Sequence, residues 1–310
     1  MRGRSHRWLE ALALALAPAG AGAATLERGP YVQRVGATEA TIAWRTDEVS
    51  SGAVRYGAAP DALDTVVAAD ALGAAMEVRL TGLEPGTRYF YEVRASGTAL
   101  AGGDLEHSFT TAPAVGERRK LRAWIVGDSG VAGEAPRAVL RAMLAQVGAD
   151  RPALVLHAGD LAYDAGTDEE LTTRFFGPYA GVLRGAPVWP ALGNHDGASV
   201  DVAAQSGPYF DAFALPRAGE AGGLPSGTEA YYSFDRGNVH FVVLDSYGSP
   251  RGPGGAMLTW LAADLAATSQ EWIVAAWHHP PYTKGTHDSD LEVNSVEMRA
   301  NALPILEATG

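Results

Sequence analysis

The chain has 310 residues and a hydrophobic content of 47%, which is enough to bury a sizeable core and to form two domains. Its 24 Lys and Arg residues are outnumbered by 36 Asp and Glu residues, so the formal charge is −12 and a nucleic-acid partner is not expected. The absence of cysteine excludes disulfide bonds, thiolate nucleophiles and thiolate metal ligands.

The first 23 residues have the pattern of a secretory signal peptide. Basic residues come first, an apolar stretch over residues 9–17 is interrupted only by Glu10, and small residues lead to a cleavage position after Ala23. We therefore expect residues 1–23 to be removed on export and the protein to be secreted or periplasmic. No later apolar run approaches the roughly 20 residues of a membrane span, so none is expected.

Residues 25–113 predict an all-β domain, because short β-rich runs alternate with turn residues. Within it, Trp44 is expected to pack in the core, and the Leu83-Glu84-Pro85-Gly86-Thr87 turn precedes Tyr89. This arrangement resembles a fibronectin type III sandwich with its corner tyrosine. Five of the expected six or seven strands can be placed, at residues 41–45, 53–56, 77–80, 89–93 and 107–110.

After a charged linker at residues 114–120, strands alternate with helical segments from residue 121 to 310, which predicts a mixed α/β sheet covered by helices. The turn at residues 235–238 predicts a hairpin between strands 231–234 and 239–244. The other strands are predicted at residues 121–126, 153–157, 187–192 and 272–277, and the helices at 135–147, 169–176, 257–267 and 295–308.

Four motifs each place oxygen or imidazole ligands directly after a predicted strand, which indicates one two-metal site at the carboxyl edge of the sheet. Asp128 and Asp160 lie 32 residues apart, room for one helix between adjacent parallel strands, so the two carboxylates can share an ion. The motifs are Gly127-Asp128-Ser129-Gly130, Gly159-Asp160-Leu161-Ala162-Tyr163, Gly193-Asn194-His195-Asp196 and His278-His279-Pro280-Pro281.

The remaining ligands are interpreted by residue chemistry. Tyr163 as a phenolate suits a hard trivalent ion such as ferric iron. Asn194 offers a neutral amide oxygen, and His195 can serve the substrate. Adjacent strand residues face opposite sides, so only one of His278 and His279 is expected to bind metal.

Together these motifs resemble the calcineurin-like metallophosphoesterases, and the preceding sandwich with Tyr163 is similar to the purple acid phosphatases. The resemblance implies a binuclear centre of Fe(III) with Zn(II), Mn(II) or Fe(II). Asp128 would bind the first metal, Asp160 would bridge both, and Tyr163 would bind iron, while Asn194 and His278 would bind the second metal.

The resemblance also implies catalytic histidines. His195 would stabilise the phosphate or assist the leaving group, and His287 falls where plant members carry a histidine in the substrate pocket. Of the other histidines, His157 and His240 lie inside predicted strands and are expected in the core or beside the ligands. The family's final motif, Gly-His-x-His, is not among these 310 residues. We expect it after residue 310, which makes the catalytic domain C-terminally incomplete.

The implied function is an exported acid phosphatase that hydrolyses small phosphate monoesters by attack of a metal-bound hydroxide. Two alternatives stay open. The same metal site could serve a phosphodiesterase, because the pocket decides the substrate. An incomplete site could also belong to a non-catalytic protein that binds phosphate or a partner. The natural ester and the oligomeric state stay open as well.

Overall fold

The computed structural model describes residues 24–309. The predicted signal peptide, at residues 1–23, lies outside the described residues. No helix of the described chain is both long enough and apolar enough to cross a membrane.

The first part of the described chain is all β-structure. Strand β2 unites two runs that the sequence predicts as separate strands, at residues 41–45 and 53–56. Its first half pairs with β1 and its second half with β4, and irregularities in its pairing with β3 separate the halves. Bulges let a strand bend, so one strand serves both halves of the sandwich. The strands are β1 (Leu26–Gln33), β2 (Glu39–Gly57), β3 (Thr65–Thr81), β4 (Arg88–Ala95), β5 (Thr98–Gly102) and β6 (Ser108–Thr110).

The core of this domain confirms the expected packing of Trp44, which is only 1% exposed. It lies in one cluster with residues from both halves of β2 and from its neighbours, among them Ile42, Val54 and Tyr91. The Tyr89 hydroxyl accepts a hydrogen bond from the Glu84 N–H at 2.9 Å, as the corner tyrosine of such a sandwich does.

In the second part, six strands form two three-stranded sheets. β7, β8 and β9 are parallel to one another. β10 and β11 form the predicted hairpin, and β12 joins β11 in parallel. The chain order alone indicated a mixed sheet but not its division into two. The strands are β7 (Ala123–Val126), β8 (Leu154–His157), β9 (Val188–Pro190), β10 (Tyr232–Arg236), β11 (Val239–Val243) and β12 (Trp272–Ala276).

The two sheets face each other across a shared core. Trp189 of β9 stacks on Phe234 of β10 with ring centroids 3.8 Å apart, and Phe234 stacks on Phe241 of β11 at 4.7 Å. The all-buried Leu154–His157 strand fits a parallel sheet that is covered on both faces. The predicted α/β layer is therefore a two-sheet sandwich.

Helices connect these strands, and the two longest confirm the predicted segments 135–147 and 257–267. The other two predicted segments, 169–176 and 295–308, each contain a π-helical stretch, at Leu171–Phe176 and Met298–Ala302. The helices are α1 (Glu134–Val147), α2 (Asp168–Glu170), α3 (Gly177–Leu183), α4 (Asn194–Gly197), α5 (Pro208–Ala212), α6 (Ala256–Ala267), α7 (Val293–Glu297) and α8 (Leu303–Glu307).

Strand β1 attaches the sandwich domain to the second part of the chain. The Tyr31 hydroxyl donates to the Ala212 carbonyl at 3.0 Å, and its ring lies 4.5 Å from that of Phe176. Arg28, which is buried, pairs with Asp168 at 2.7 Å. The sandwich thus contacts the helical segment that follows the second motif.

Candidate metal centre

The four sequence motifs meet at one edge of the second part. Asp128, Asp160 and Asn194 follow the parallel strands β7, β8 and β9, and His278 follows β12. Ligand atoms of Asp128, Asp160 and His278 all lie within 4.8 Å of one another. The convergence that the strand pattern predicted is thus present for these three side chains.

Two glycines are required by the close approach of the motifs. A Cβ atom on Gly193 would lie 2.1 Å from Asp160 Oδ1, and one on Gly159 would lie 2.8 Å from His278 Nδ1. Asp128 and Asp160 have φ angles of 54° and 58°, a conformation that few non-glycine residues adopt. This strain is typical of functional sites, since the surrounding structure must stabilise it.

The two carboxylates differ in environment. Asp160 is 2% exposed, and its Oδ1 accepts the backbone N–H of His195 at 2.9 Å. Asp128 is exposed, and its Oδ1 accepts the Tyr163 hydroxyl at 2.8 Å. Burial and then the two carboxylates raise the pKa of Tyr163, so without a cation the phenol is neutral.

His278 presents a ring nitrogen to the two carboxylates and to Asn194. Its Nδ1 donates to the Ala158 carbonyl at 2.9 Å, so in the neutral ring Nε2 bears a lone pair. Nε2 faces Asn194 Oδ1 at 3.0 Å and Asp160 Oδ2 at 3.5 Å. Three acceptor atoms therefore converge, and a metal ion stabilises such an arrangement.

His195 lies beside this group. Its Nδ1 donates to the Asp164 carbonyl at 2.6 Å, which leaves Nε2 free of that contact. Its ring centroid lies 4.1 Å from that of Tyr163. The imidazole is thus oriented next to the ligand cluster.

The structure does not bring His287 into this cluster. Its side chain is 71% exposed, and Nδ1 lies 2.8 Å from Glu292 Oε1. The surrounding loop is held by an ion pair from Lys284 to Asp288 at 2.8 Å. Its predicted catalytic role stays a prediction.

Asp196 supports the site and was not singled out from the sequence. This buried carboxylate accepts the backbone N–H groups of Asp160 at 2.8 Å, Leu161 at 2.9 Å and Gly193 at 3.2 Å, so it joins the second and third motifs. Burial, followed by the charge of Asp160, raises the pKa of Asp196 to about 7. Its position inside the third motif was the available signal.

Two further histidines lie behind the ligands, in line with the expectation for His157. His157 is buried, and its Nε2 donates to Ser129 Oγ, the neighbour of Asp128, at 2.7 Å. Burial lowers the pKa of His157 to about 3, so the ring is neutral. His279 faces Ser246 Oγ at 2.8 Å instead of the carboxylates, so the two adjacent histidines point to different partners.

Two family models match the chain. Residues 121–305 match the calcineurin-like phosphoesterase family, and residues 29–111 match the purple acid phosphatase N-terminal domain. Purple acid phosphatase 23 of Arabidopsis thaliana is 29% identical over 249 residues, which is 71% of this chain and 52% of that protein. The probable inactive purple acid phosphatase 9 of the same plant is 26% identical, and the match covers 86% of this chain and 48% of that protein. The chain thus spans about half the length of these curated relatives.

Solved structures share the fold. A structure of PhoD superposes with a TM-score of 0.62 at 15% identity and covers 95% of this chain and 71% of its own. Purple acid phosphatase PPD1 from yellow lupin (Lupinus luteus) seeds superposes with a TM-score of 0.58 at 17% identity, over 84% of this chain and 51% of its own. Because the calcineurin-like phosphoesterase model matches more than half of the chain, the chain belongs to that family, and it carries a purple acid phosphatase N-terminal domain in front of its phosphoesterase domain.

Proposed function

We propose that this protein is an exported, metal-dependent acid phosphatase that hydrolyses small phosphate monoesters. The observation that carries the proposal is the convergence of Asp128, Asp160 and His278, whose ligand atoms lie within 4.8 Å of one another. The Tyr163 hydroxyl donates a hydrogen bond to Asp128 of this group, and Asn194 Oδ1 lies 3.0 Å from His278 Nε2. Family membership supports phosphoester hydrolysis as the reaction class.

The donor set fits a pair of metal ions. Two carboxylates, an imidazole, an amide oxygen and a phenol are hard or borderline ligands, which suits Fe(III) together with Zn(II), Mn(II) or Fe(II). Asp128, Asp160 and Tyr163 would hold the ferric ion, and Asp160, Asn194 and His278 the divalent one. When bound, such ions supply positive charge to the phosphate oxygens and lower the pKa of water.

The chain's own groups would orient the ester and move the proton. The contact from His195 Nδ1 to the Asp164 carbonyl fixes the ring and leaves Nε2 available. A protonated imidazole there can donate its Nε2 proton to the departing alkoxide, a contribution of about 10²- to 10⁴-fold in rate. His287 is the second candidate acid, on the sequence prediction alone.

The test compares a monoester with a diester. Purified protein loaded with iron and zinc is assayed on p-nitrophenyl phosphate and bis(p-nitrophenyl) phosphate across acidic and neutral pH. We expect faster turnover of the monoester at acidic pH and a loss of at least about a hundredfold in Asp160→Asn, since that carboxylate is the centre of the cluster. Asp211→Asn, which changes an exposed carboxylate of helix α5, is the matched control.

Other outcomes would select the alternatives. Preferred hydrolysis of the diester would favour a phosphodiesterase. Phosphate binding without turnover of either ester would favour a non-catalytic protein, the class to which the name of the probable inactive relative points.

Export is supported by the composition of residues 1–23. Mass spectrometry of the protein recovered outside the cytoplasm should show a mature amino terminus following Ala23. An intact Met1 on cytoplasmic protein would contradict export.

A further inference from the structure

A cavity of about 770 Å³ lies where the sandwich domain meets the phosphoesterase domain. Leu121, Ala153 and Ala186 line it, and they precede strands β7, β8 and β9. The candidate metal ligands follow the same parallel strands. The cavity is therefore at the amino edge of the sheet, opposite the metal centre.

The cavity is basic although the chain as a whole is acidic. Six cationic side chains line it, against the two carboxylates Glu106 and Glu117. Three of the cations form ion pairs, Arg119 with Glu117, Arg184 with Glu106 and Lys120 with Asp150. The cationic lining residues are Arg88, Arg119, Lys120, Arg151, Arg184 and Arg236.

Arg236 is the unusual member of this set. It is 7% exposed, and the only hydrogen bond of its side chain within residues 24–309 is a long one, 3.5 Å to the Thr110 carbonyl. No carboxylate of the described chain lies within ion-pair distance of it. Burial lowers the pKa of Arg236 to about 10, so the guanidinium is still charged at neutral pH. Burying a charge without a counter-ion costs free energy of folding, and an anion bound in the cavity would offset that cost.

We propose that this cavity binds a small organic phosphate, with the phosphate group against Arg236. The planar guanidinium matches phosphate oxygens two at a time, and the excess of lining cations favours a dianion over a single carboxylate. Arg88 and Arg151 add charge, since neither is in an ion pair among the described residues.

The apolar part of the wall suits an organic substituent. Leu140 and Leu144 of helix α1 and Val182 of helix α3 line the cavity beside the arginines. The volume is within the range of small-molecule sites, about 300–1,000 Å³. The ligand is thus expected to bind more tightly than free phosphate does.

The experiment is calorimetric titration with phenylphosphonate, which cannot be hydrolysed at a phosphorus–oxygen ester bond. Metal-loaded protein and its Asp160→Asn variant separate the two sites, because only the metal centre depends on Asp160. We expect Asp160→Asn to keep one binding event, and Arg236→Gln in that background to weaken it about tenfold or more. Arg151→Gln should weaken it less, about threefold, because Arg151 is exposed.

Arg118→Gln is the matched control, since Arg118 is 78% exposed, pairs with Glu271 and lies outside the lining. Loss of all binding in Asp160→Asn, or equal affinity in every arginine variant, would overturn the proposal. Equal affinity for inorganic phosphate would overturn its organic part. If Arg236→Gln does not fold, the Arg88→Gln/Arg151→Gln double variant decides in the same way. Monoester turnover is measured separately, so failure here leaves the proposed phosphatase untouched.

Discussion

At the scale of single residues, backbone carbonyls determine which imidazole nitrogens are available. The Nδ1–H of His278 donates to the Ala158 carbonyl, and the Nδ1–H of His195 donates to the Asp164 carbonyl. Neither contact uses Nε2. In His278 this atom faces the ligand cluster, and the His195 ring lies next to Tyr163. Such partners fix the tautomer and orientation of a ligand or acid, which the residue type alone does not do.

The position of Asp160 predicts unequal effects of two carboxylate variants. Asp160→Asn should lower the content of both metals, because a neutral amide cannot balance two adjacent cations. Asp128→Asn should mainly empty one position. Metal analysis by mass spectrometry of protein purified with iron and zinc checks this, with Asp211→Asn as the control. Full occupancy in both variants would remove the bridging assignment.

The contact between Tyr163 and Asp128 predicts a spectroscopic signature. Phenolate bound to ferric iron absorbs visible light by charge transfer, so the iron-loaded protein should be coloured and Tyr163→Phe colourless. Tyr179→Phe is a matched control, because the hydroxyl of that buried tyrosine donates to the Ser129 carbonyl at 3.4 Å and, among residues 24–309, to no carboxylate. Active protein with only divalent metal and no visible band would exclude the ferric assignment and leave a divalent phosphatase.

At the scale of elements, helix α2 connects the sandwich domain to the site. Thr167 and Glu170 form a capping box at its start. Glu170 also accepts the N–H groups of Asp164 and of Ala165, the latter at 3.1 Å. The Asp164 carbonyl in turn accepts the hydrogen bond from His195 Nδ1. Asp168, the first residue of the helix, pairs with Arg28 of β1, so this short helix contacts both domains.

Glu170 is therefore expected to act as a positioning residue. Glu170→Gln replaces charge-assisted hydrogen bonds by weaker ones and frees the loop that orients His195. We expect kcat to fall by about tenfold while metal content stays unchanged, since small misplacements of catalytic groups are costly. Steady-state kinetics and metal analysis test this, with the exposed neighbour in Glu169→Gln as control. Unchanged kcat, or a matching loss of metal, would contradict the positioning role.

At the scale of the whole molecule, a buried ion cluster ties β10 and β11 to helix α6. His240 Nδ1 lies 2.8 Å from Asp235 Oδ1, and Nε2 lies 2.9 Å from Asp264 Oδ2. Asp264 also accepts the Ser233 hydroxyl at 3.0 Å. Burial would lower the pKa of His240, but the two carboxylates outweigh it and raise the pKa to about 9.

This cluster predicts a loss of stability at alkaline pH. Since the folded pKa lies above the unfolded value near 6.5, the stabilisation is fully present below about pH 6.5 and is lost as pH rises through about 9. The expected change is on the order of 3 kcal/mol of unfolding free energy. Urea unfolding at several pH values measures it. The pH dependence of the unfolding free energy should persist in His287→Gln and become weaker in His240→Gln. An unchanged pH dependence in His240→Gln would contradict its assignment to His240.

The positions of the candidate ligands could be predicted from the sequence because they depend on local pattern. An apolar run that ends in Gly-Asp, Gly-Asn or His-His predicts a strand followed by a ligand, and Asp128, Asp160 and His278 do meet at such strand ends. The hairpin of β10 and β11 and helix α1 are likewise determined by turn residues and apolar period within a few residues of chain.

Long-range pairing determined the rest. The division of six strands into two facing sheets depends on partners far along the chain. The union of two predicted strands in β2 depends on its pairing with β1, β3 and β4 together. The carbonyls that orient His195 and His278, the backbone groups held by Asp196, and the burial of Arg236 beside β6 also come from distant segments. Residue types and spacing therefore determined which side chains are candidate ligands and acids, whereas tertiary packing decided which of their atoms are free, charged and close together.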